Sequence, residues 1–231
     1  MSQFIKNLTN NFQSFFNLFL ESNCPLCERP TPQILCLSCT KQLYQSQISN
    51  PSQFWHKPVR VFGWGKYGGT LKRAIFATKY DHQPQLAKPL GNLLGEAWLT
   101  NPPSLERQIT VIPIPMHPEK LKQRGYNQAE LIAKTFCSTT GLKLNSTALA
   151  RVKTTIAQHK LTTDQREKNL HNAFLLKKDL NQLLGSSILL LDDIYTSGAT
   201  AKSAILALRK HKINVLGIVT VAIAGKSVLK L

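Results

Sequence analysis

The stretch from Ile188 to Thr200 limits what this chain can fold into more than any other. It runs Ile188-Leu189-Leu190-Leu191, then Asp192 and Asp193, then Ile194-Tyr195, and ends in the hydroxyl-rich turn Thr196-Ser197-Gly198-Ala199-Thr200. Four consecutive apolar residues read as a strand buried on both faces, as in a parallel sheet. Ala201 to Lys212 continue with helical spacing, so the turn stands where a strand hands over to a helix N-terminus. Backbone N–H groups there have no partner within the helix and attract an anion. Gly198 lets the backbone approach that anion closely, and Thr196, Ser197 and Thr200 add hydroxyl donors. Asp192 and Asp193 would repel a phosphate, so they suit the hydroxyls of a sugar, or a magnesium ion carried by a polyphosphate ligand. The pattern predicts a cradle for a phosphorylated sugar. The plainer alternative is an N-capped helix, with Thr196 or Ser197 as the cap and both aspartates facing solvent.

The rest of the chain supplies a sheet for that strand. Val59 to Tyr67 reads as a strand closed by Gly68-Gly69, Leu71 to Tyr80 and Leu86 to Leu99 as helices, and Ile109 to Pro115 as a second buried strand. Asn127 to Thr139 has helical spacing, and Val215 to Ala224 reads as a last strand. Strands alternating with helices predict an α/β fold built on a parallel sheet. Ligands of such sheets bind beyond the carboxyl ends of the strands, so the segment after Pro115 should face the same crevice as Asp192. That segment holds Lys120, Lys122 and Arg124-Gly125-Tyr126-Asn127-Gln128. Arg124 suits a diphosphate, which a guanidinium fork fits; alternatively Gly125 makes a turn and Asn127 only caps the next helix.

Near the N-terminus, Cys24-x-x-Cys27 and Cys36-x-x-Cys39 form two knuckles eight residues apart. Four thiolates at that spacing predict a closed, structural zinc site. Neither knuckle is expected to open a helix after a buried strand, which disfavours a redox role, and with no secretory signal a disulfide pair is the lesser reading. Cys137, within an apolar helical run, reads as a core thiol. Before the knuckles, Phe4, Ile5, Leu8, Phe12, Phe15, Phe16 and Phe19 make a one-sided stripe, expected as an amphipathic helix docked on its own protein, with peripheral membrane attachment or a partner groove as alternatives. No apolar run reaches the ~18 residues that span a bilayer. The organisation expected is an N-terminal helix over 1–22, a zinc module and polar linker over 23–58, and the main domain over 59–231.

The chain carries 29 Lys and Arg against 12 acids, a net charge of +17. Residues 117–178 hold twelve of the basic residues and four of the acids. This concentration points to a phosphate-bearing partner, either a diphosphate or nucleic acid, against the bland reading of a solvated basic surface. Arg151 to Phe174 exceeds the ~12 to 15 residues usual for a structureless loop, and its basic content predicts a lid carrying Arg151, Lys153, Gln158, His159, Lys160, Arg166 and Asn169.

The segment from Asp192 to Thr200 resembles the phosphoribosyl diphosphate motif of type I phosphoribosyltransferases, from which Ser197 departs with its hydroxyl retained. Together with both knuckles, Tyr67-Gly68-Gly69, Lys79-Tyr80, Pro113-Ile114-Pro115, Arg124 to Glu130, Gln158, Leu161, Arg166 and Asn169, the chain as a whole resembles the ComF family. Asn23 stands where that family often has proline. The resemblance implies a type I phosphoribosyltransferase-like parallel sheet flanked by helices, with a small four-cysteine zinc module in front. It further implies that Asp192 and Asp193 bind the ribose hydroxyls of phosphoribosyl diphosphate, that Thr196 to Thr200 wrap its 5′-phosphate, and that Mg²⁺ accompanies it. The context implied is bacterial DNA uptake during natural transformation, in the cytoplasm or peripherally at the inner face of its membrane. Partners implied are single-stranded DNA and proteins of the competence machinery. Catalysis stays open: seven residues follow Ala224, so an acceptor site is expected to draw on the N-terminal region or the lid, and no catalytic residue is assigned. A phosphoribosyltransferase of unknown acceptor, a non-catalytic single-strand or partner-binding module, and a regulator sensing the sugar diphosphate are the alternatives.

Overall fold

The computed structural model describes residues 22–56, 58–103, 108–152, 173–177, 183 and 185–225. The helix expected over 1–22 therefore lies outside the described residues except for Ser22. Lys153, Gln158, His159, Lys160, Arg166 and Asn169 of the expected lid lie outside them too.

The elements are β1 (Ser22–Asn23), β2 (Pro30–Thr31), α1 (Leu37–Tyr44), β3 (Val61–Lys66), α2 (Gly69–Tyr80), a 3₁₀ turn (Pro84–Leu86), α3 (Ala87–Thr100), β4 (Ile109–Pro113), α4 (Pro118–Arg124), α5 (Gln128–Thr140), β5 (Lys143–Leu144), β6 (Leu149–Arg151), β7 (Phe174–Leu176), β8 (Ser187–Tyr195), α6 (Ala199–Arg209) and β9 (Val215–Ile223). Five strands form one sheet in the order β3-β9-β8-β4-β5, and every neighbouring pair is parallel. This is the expected α/β class, with the expected cysteine module ahead of it.

Two apolar clusters cover the two faces of the sheet, and the period-2 alternation of β8 divides its side chains between them. Leu189 and Leu191 pack with Phe62, Trp64, Val111 and Val219 under α2, α3 and α5. Ile188 and Leu190 pack with Val61, Ile112 and Ile218 under α6. All four are fully buried, and each such side chain contributes roughly 1.5–3 kcal/mol relative to exposure. Helix α3 reaches α5 closely because Gly91 and Gly95 face it: a Cβ at Gly91 would stand 2.7 Å from the Ile132 carbonyl oxygen, and one at Gly95 2.8 Å from Thr139 Cβ. That approach seats α5 against the sheet and fixes its first residue, Gln128, beside the end of β8.

The polar stretch 41–58, read as linker, packs on the sheet's first strand. The Ser46 carbonyl accepts from Lys66 N–H at 2.7 Å, Ile48 N–H donates to the Trp64 carbonyl at 2.9 Å, and Trp55 meets Trp98 edge-on at 5.9 Å. Its apolar residues are few, but Leu43, Ile48 and Phe54 are buried, which composition alone does not reveal. The long stretch after Arg151 leaves and returns through one ladder, since β6 and β7 pair antiparallel with Arg151 opposite Phe174. Among the described residues no helix is long and apolar enough to cross a membrane.

Candidate functional site

Strand β8 continues four residues past the apolar run, so Asp192 and Asp193 belong to the strand instead of following it. Consecutive strand residues point to opposite faces. Asp193 falls on the α2 and α5 side and is 3% exposed; Asp192 falls on the α6 side, half-buried near Arg151. The two carboxylates therefore meet different partners. Lys79 Nζ, from the last turn of α2, lies 2.6 Å from Asp193 Oδ2, and Gln128 Nε2 donates to the same oxygen at 3.2 Å. Gln128 in turn accepts from Arg124 Nη1. Asp192 instead accepts the Asp193 N–H on its Oδ1 at 2.9 Å. Burial, and then the charge of Asp193 beside it, pushes the Asp192 carboxyl well above the usual carboxylate range, with Lys79 opposing. Burial also lowers Arg151, an effect that Asp192 partly offsets.

After Tyr195 the chain turns at Gly198, whose φ of 74° is left-handed, and α6 begins at Ala199. A Cβ on Gly198 would stand 2.3 Å from Tyr195 Oη, so both backbone and space call for glycine there. Ala199 N–H reaches Ser197 Oγ only at 3.5 Å, and Gly198 offers α6 no side-chain cap. Thr196 and Ser197 lie at the surface end of the turn, and Thr200 is half-buried.

A cavity of about 290 Å³ opens between these groups. Asp192, Asp193, Thr196 and Thr200 line one side; Lys79, Lys120, Arg124 and Arg151 bring four cations to it. Ser197, Gly198 and Ala199 complete the turn without lining the cavity. The loop after β4 is held in place from both ends. Asn127 caps α5 through Ala129 N–H at 3.1 Å and donates to the Ile114 carbonyl at 3.0 Å, Gly125 ends α4 at φ 85°, and Tyr126 Oη donates to the Thr78 carbonyl at 2.8 Å. The cap and the turn are thus both present, and they aim Arg124 at the cavity: the structural role and the binding role coexist. Lys79 and Gln128 were not assigned from sequence. In the sequence Lys79 stood out only within the Lys79-Tyr80 pair of the family resemblance, since a helix that starts beyond the carboxyl end of β3 is expected to carry its last turn away from the strand ends.

The four cysteines converge away from this cavity. Their sulfur atoms all lie within 4.8 Å of one another, with Cys27 and Cys36 at 3.5 Å. Tetrahedral zinc at ~2.3 Å from each sulfur needs sulfurs about 3.8 Å apart, so the set fits a metal ion. The second knuckle opens a helix, though not after a buried strand: Cys36 is the N-cap of α1 and its sulfur accepts Cys39 N–H at 3.5 Å. That bond leads in lowering Cys36 to about 7, whereas Cys39 is raised by burial and by the neighbouring thiols. For Cys24 burial pulls upward, but backbone bonds outweigh it and the thiol is lowered. The strand before the helix, β2, has two residues, so the module differs from a thioredoxin-like site, where a buried strand leads into the helix. Arg73 of α2 donates to the Leu26 carbonyl, and Leu26, Leu35 and Leu43 join the cluster under α2 and α3. Cys137 is buried as expected of a core thiol, and burial lifts it to about 12.

No family model matches the chain. Among solved structures it is similar to adenine phosphoribosyltransferase from Leishmania tarentolae, at a TM-score of 0.38 and 10% identity, covering 79% of this chain and 95% of that one. It is 28% identical over 193 residues to the DNA utilization protein YhgH of Salmonella typhimurium, covering 81% of this chain and 78% of the relative. It is 30% identical over 179 residues to competence protein F of Haemophilus influenzae, covering 76% of this chain and 72% of that one. On that likeness over most of both chains, with the paired knuckles and the carboxyl-edge cavity in place, the chain belongs to the ComF family.

Proposed function

We propose that the cavity holds phosphoribosyl diphosphate, or a closely similar phosphosugar, and that the chain serves the handling of DNA taken up by a bacterial cell. The observation that supports this most is the division of labour around the cavity. A half-buried acid with no lysine of its own, Asp192, stands next to one that Lys79 already pairs, and four cations share the space with them. Ribose hydroxyls would donate to Asp192 and to the outer face of Asp193, the Thr196 to Thr200 turn would take the 5′-phosphate, and Arg124, Lys120 and Arg151 would take the diphosphate. Lys79 and Gln128 hold Asp193 in place, so one carboxylate is positioned before the ligand arrives. Lys153, Lys160 and Arg166 are proposed to close over the ligand from the stretch that β6 and β7 bracket.

Magnesium, where it accompanies the ligand, supplies charge neutralisation for the diphosphate. Asp193 is already matched by Lys79, so most of the ion's ligands would be diphosphate oxygens and water. Zinc is the metal proposed for Cys24, Cys27, Cys36 and Cys39, where it would hold β1, β2 and α1 together. The division at 1–22, 23–58 and 59–231 and a place in the cytoplasm or at the inner face of its membrane belong to the same reading, as do single-stranded DNA and competence proteins as partners. The names of the relatives, DNA utilization protein and competence protein F, support the setting.

Calorimetry with phosphoribosyl diphosphate and Mg²⁺ tests the ligand. Saturable one-to-one binding is expected for the unaltered chain, weakened at least tenfold in Asp192→Asn/Asp193→Asn. A flat titration of the unaltered chain would overturn the reading.

A further inference from the structure

The cavity has an outer wall that its proposed ligand does not need. Tyr80, which lines the cavity, is 61% exposed, and one turn before it Phe76 is 48% exposed. The two rings lie 4.7 Å apart at their centroids, and the Arg124 guanidinium sits 5.6 Å from the centre of the Tyr80 ring. An i, i+4 aromatic pair steadies a helix by a few tenths of a kcal/mol, which accounts for the rings touching but not for both being left in water. Scattered apolar side chains are ordinary on a surface; two aromatic rings and a guanidinium arranged side by side at the mouth of a cationic cavity form a shelf.

The backbone beneath the shelf is fixed. Tyr126 Oη bonds to the Thr78 carbonyl, tying the segment that carries Arg124 to the end of α2, and Arg124 is held again by Gln128. The rings are therefore presented by a helix and braced from the neighbouring loop, so little ordering is left to a ligand. The nearby exposed charge is mostly positive. Lys72 lies one turn before Phe76 on the same helix, and Lys120 and Lys122 lie on α4 with Arg124; Asp81 and Glu119 are the acids beside them in sequence.

We infer that Phe76 and Tyr80, flanked by Arg124, form a stacking shelf for an unpaired nucleobase whose phosphate is met by the surrounding lysines. Aromatic faces accept any base, and the cations supply a sequence-independent term. The sources of such a base are single-stranded DNA and a free mononucleotide. The shelf rests on the reading of single-stranded DNA as a partner but not on the phosphoribosyl one: Tyr80 and Arg124 also border the cavity, yet a base can stack on the rings whether or not the cavity holds a sugar diphosphate.

Fluorescence anisotropy with a labelled oligothymidylate, at two salt concentrations, tests the shelf on the full chain. Phe76→Ala and Tyr80→Ala are each expected to weaken binding about tenfold, in line with loss of one stacked base. Tyr80→Phe keeps the ring and is expected to bind as the unaltered chain does. Tyr80→Trp supplies a direct signature, since a stacked thymine quenches the new indole. Competition by thymidine monophosphate at concentrations comparable with the oligomer marks a mononucleotide site; competition only at far higher concentrations marks single-stranded DNA. Affinities of both alanine variants within twofold of the unaltered chain, or no quenching in Tyr80→Trp, would overturn the shelf. Titrating Phe76→Ala with phosphoribosyl diphosphate keeps the two readings apart: Phe76 does not line the cavity, so that ligand's affinity should not move.

Discussion

The cysteine cluster and the acid-lined cavity are separate centres that were assembled in opposite ways. Four sulfurs from sixteen consecutive positions, Cys24 to Cys39, close on one another through short turns, such as the Cys27 N–H to Cys24 carbonyl bond at 3.2 Å. The cavity instead takes Lys79 from α2, Arg124 and Gln128 from around α5, Arg151 from β6 and the acids from β8. A cluster that is local in the chain can be recognised by spacing alone. One gathered from distant segments depends on the sheet to bring its members together, and its charges are tuned by neighbours that no spacing announces. The consequence is a difference in what each centre tolerates. The cysteine set is four side chains of one type turned to one point, whereas Asp192 and Asp193, adjacent in sequence, have diverged into a half-buried acid beside Arg151 and a buried one paired to a lysine.

The largest effect should come from breaking the cysteine set. Cys24→Ser is expected to lower bound zinc well below one equivalent and to unfold β1, β2 and α1, at a cost of more than about 3 kcal/mol, because structural zinc and folding are coupled. Metal analysis before and after the substitution, with thermal unfolding alongside, checks it; an unchanged one-to-one zinc content would remove Cys24 from the ligand set. Next is Lys79→Met, which strips a buried carboxylate of its cation and should cost about 3–5 kcal/mol in urea unfolding. Adding Asp193→Asn should recover most of that loss, since both charges then leave together. A single substitution costing under about 1 kcal/mol would mean that Gln128 alone satisfies Asp193.

Asp192→Asn should have the smallest effect on stability, and the opposite sign. The folded Asp192 carboxyl is raised above its ordinary value by burial and by Asp193. Between the ordinary value and the raised one the folded chain binds more protons than the unfolded chain, so stability falls as pH rises through that window. The amide removes the penalty, and a gain of about 1 kcal/mol at pH 7, or ~2–4 °C in Tm, is expected together with loss of the sugar ligand. Parallel pH–stability curves for the two proteins from about pH 4 upward would show that Asp192 carries no such strain.

Much of this was legible beforehand, for reasons that differ by element. The buried strands were read from unbroken apolar runs, and β8, β9 and β4 are where those runs stand, with ends displaced by a few residues. The end of β8 was misplaced because acids look like the close of a strand, whereas pairing with β9 continues to Tyr195 opposite Ile223. The short helix Pro118–Arg124 was missed: none of its residues is buried, so no periodicity marks it. Phe76 and Tyr80 were read as helix positions, and their exposure could not be read, because spacing shows which residues share a face but not whether another element covers it.

By itself the sequence determined the local chemistry: two thiol knuckles that can close on a metal, an apolar strand leading to paired acids, and a glycine in the turn ahead of a helix. These depend on bond geometry and side-chain type over short stretches of chain. Only the tertiary structure decided which acid is paired to a lysine, which cations reach the cavity, and that two aromatic rings at its mouth stay in water. Those outcomes depend on the parallel order β3-β9-β8-β4-β5 and on the side of the sheet each residue faces, since charge interactions and burial follow distance in space and not separation along the chain.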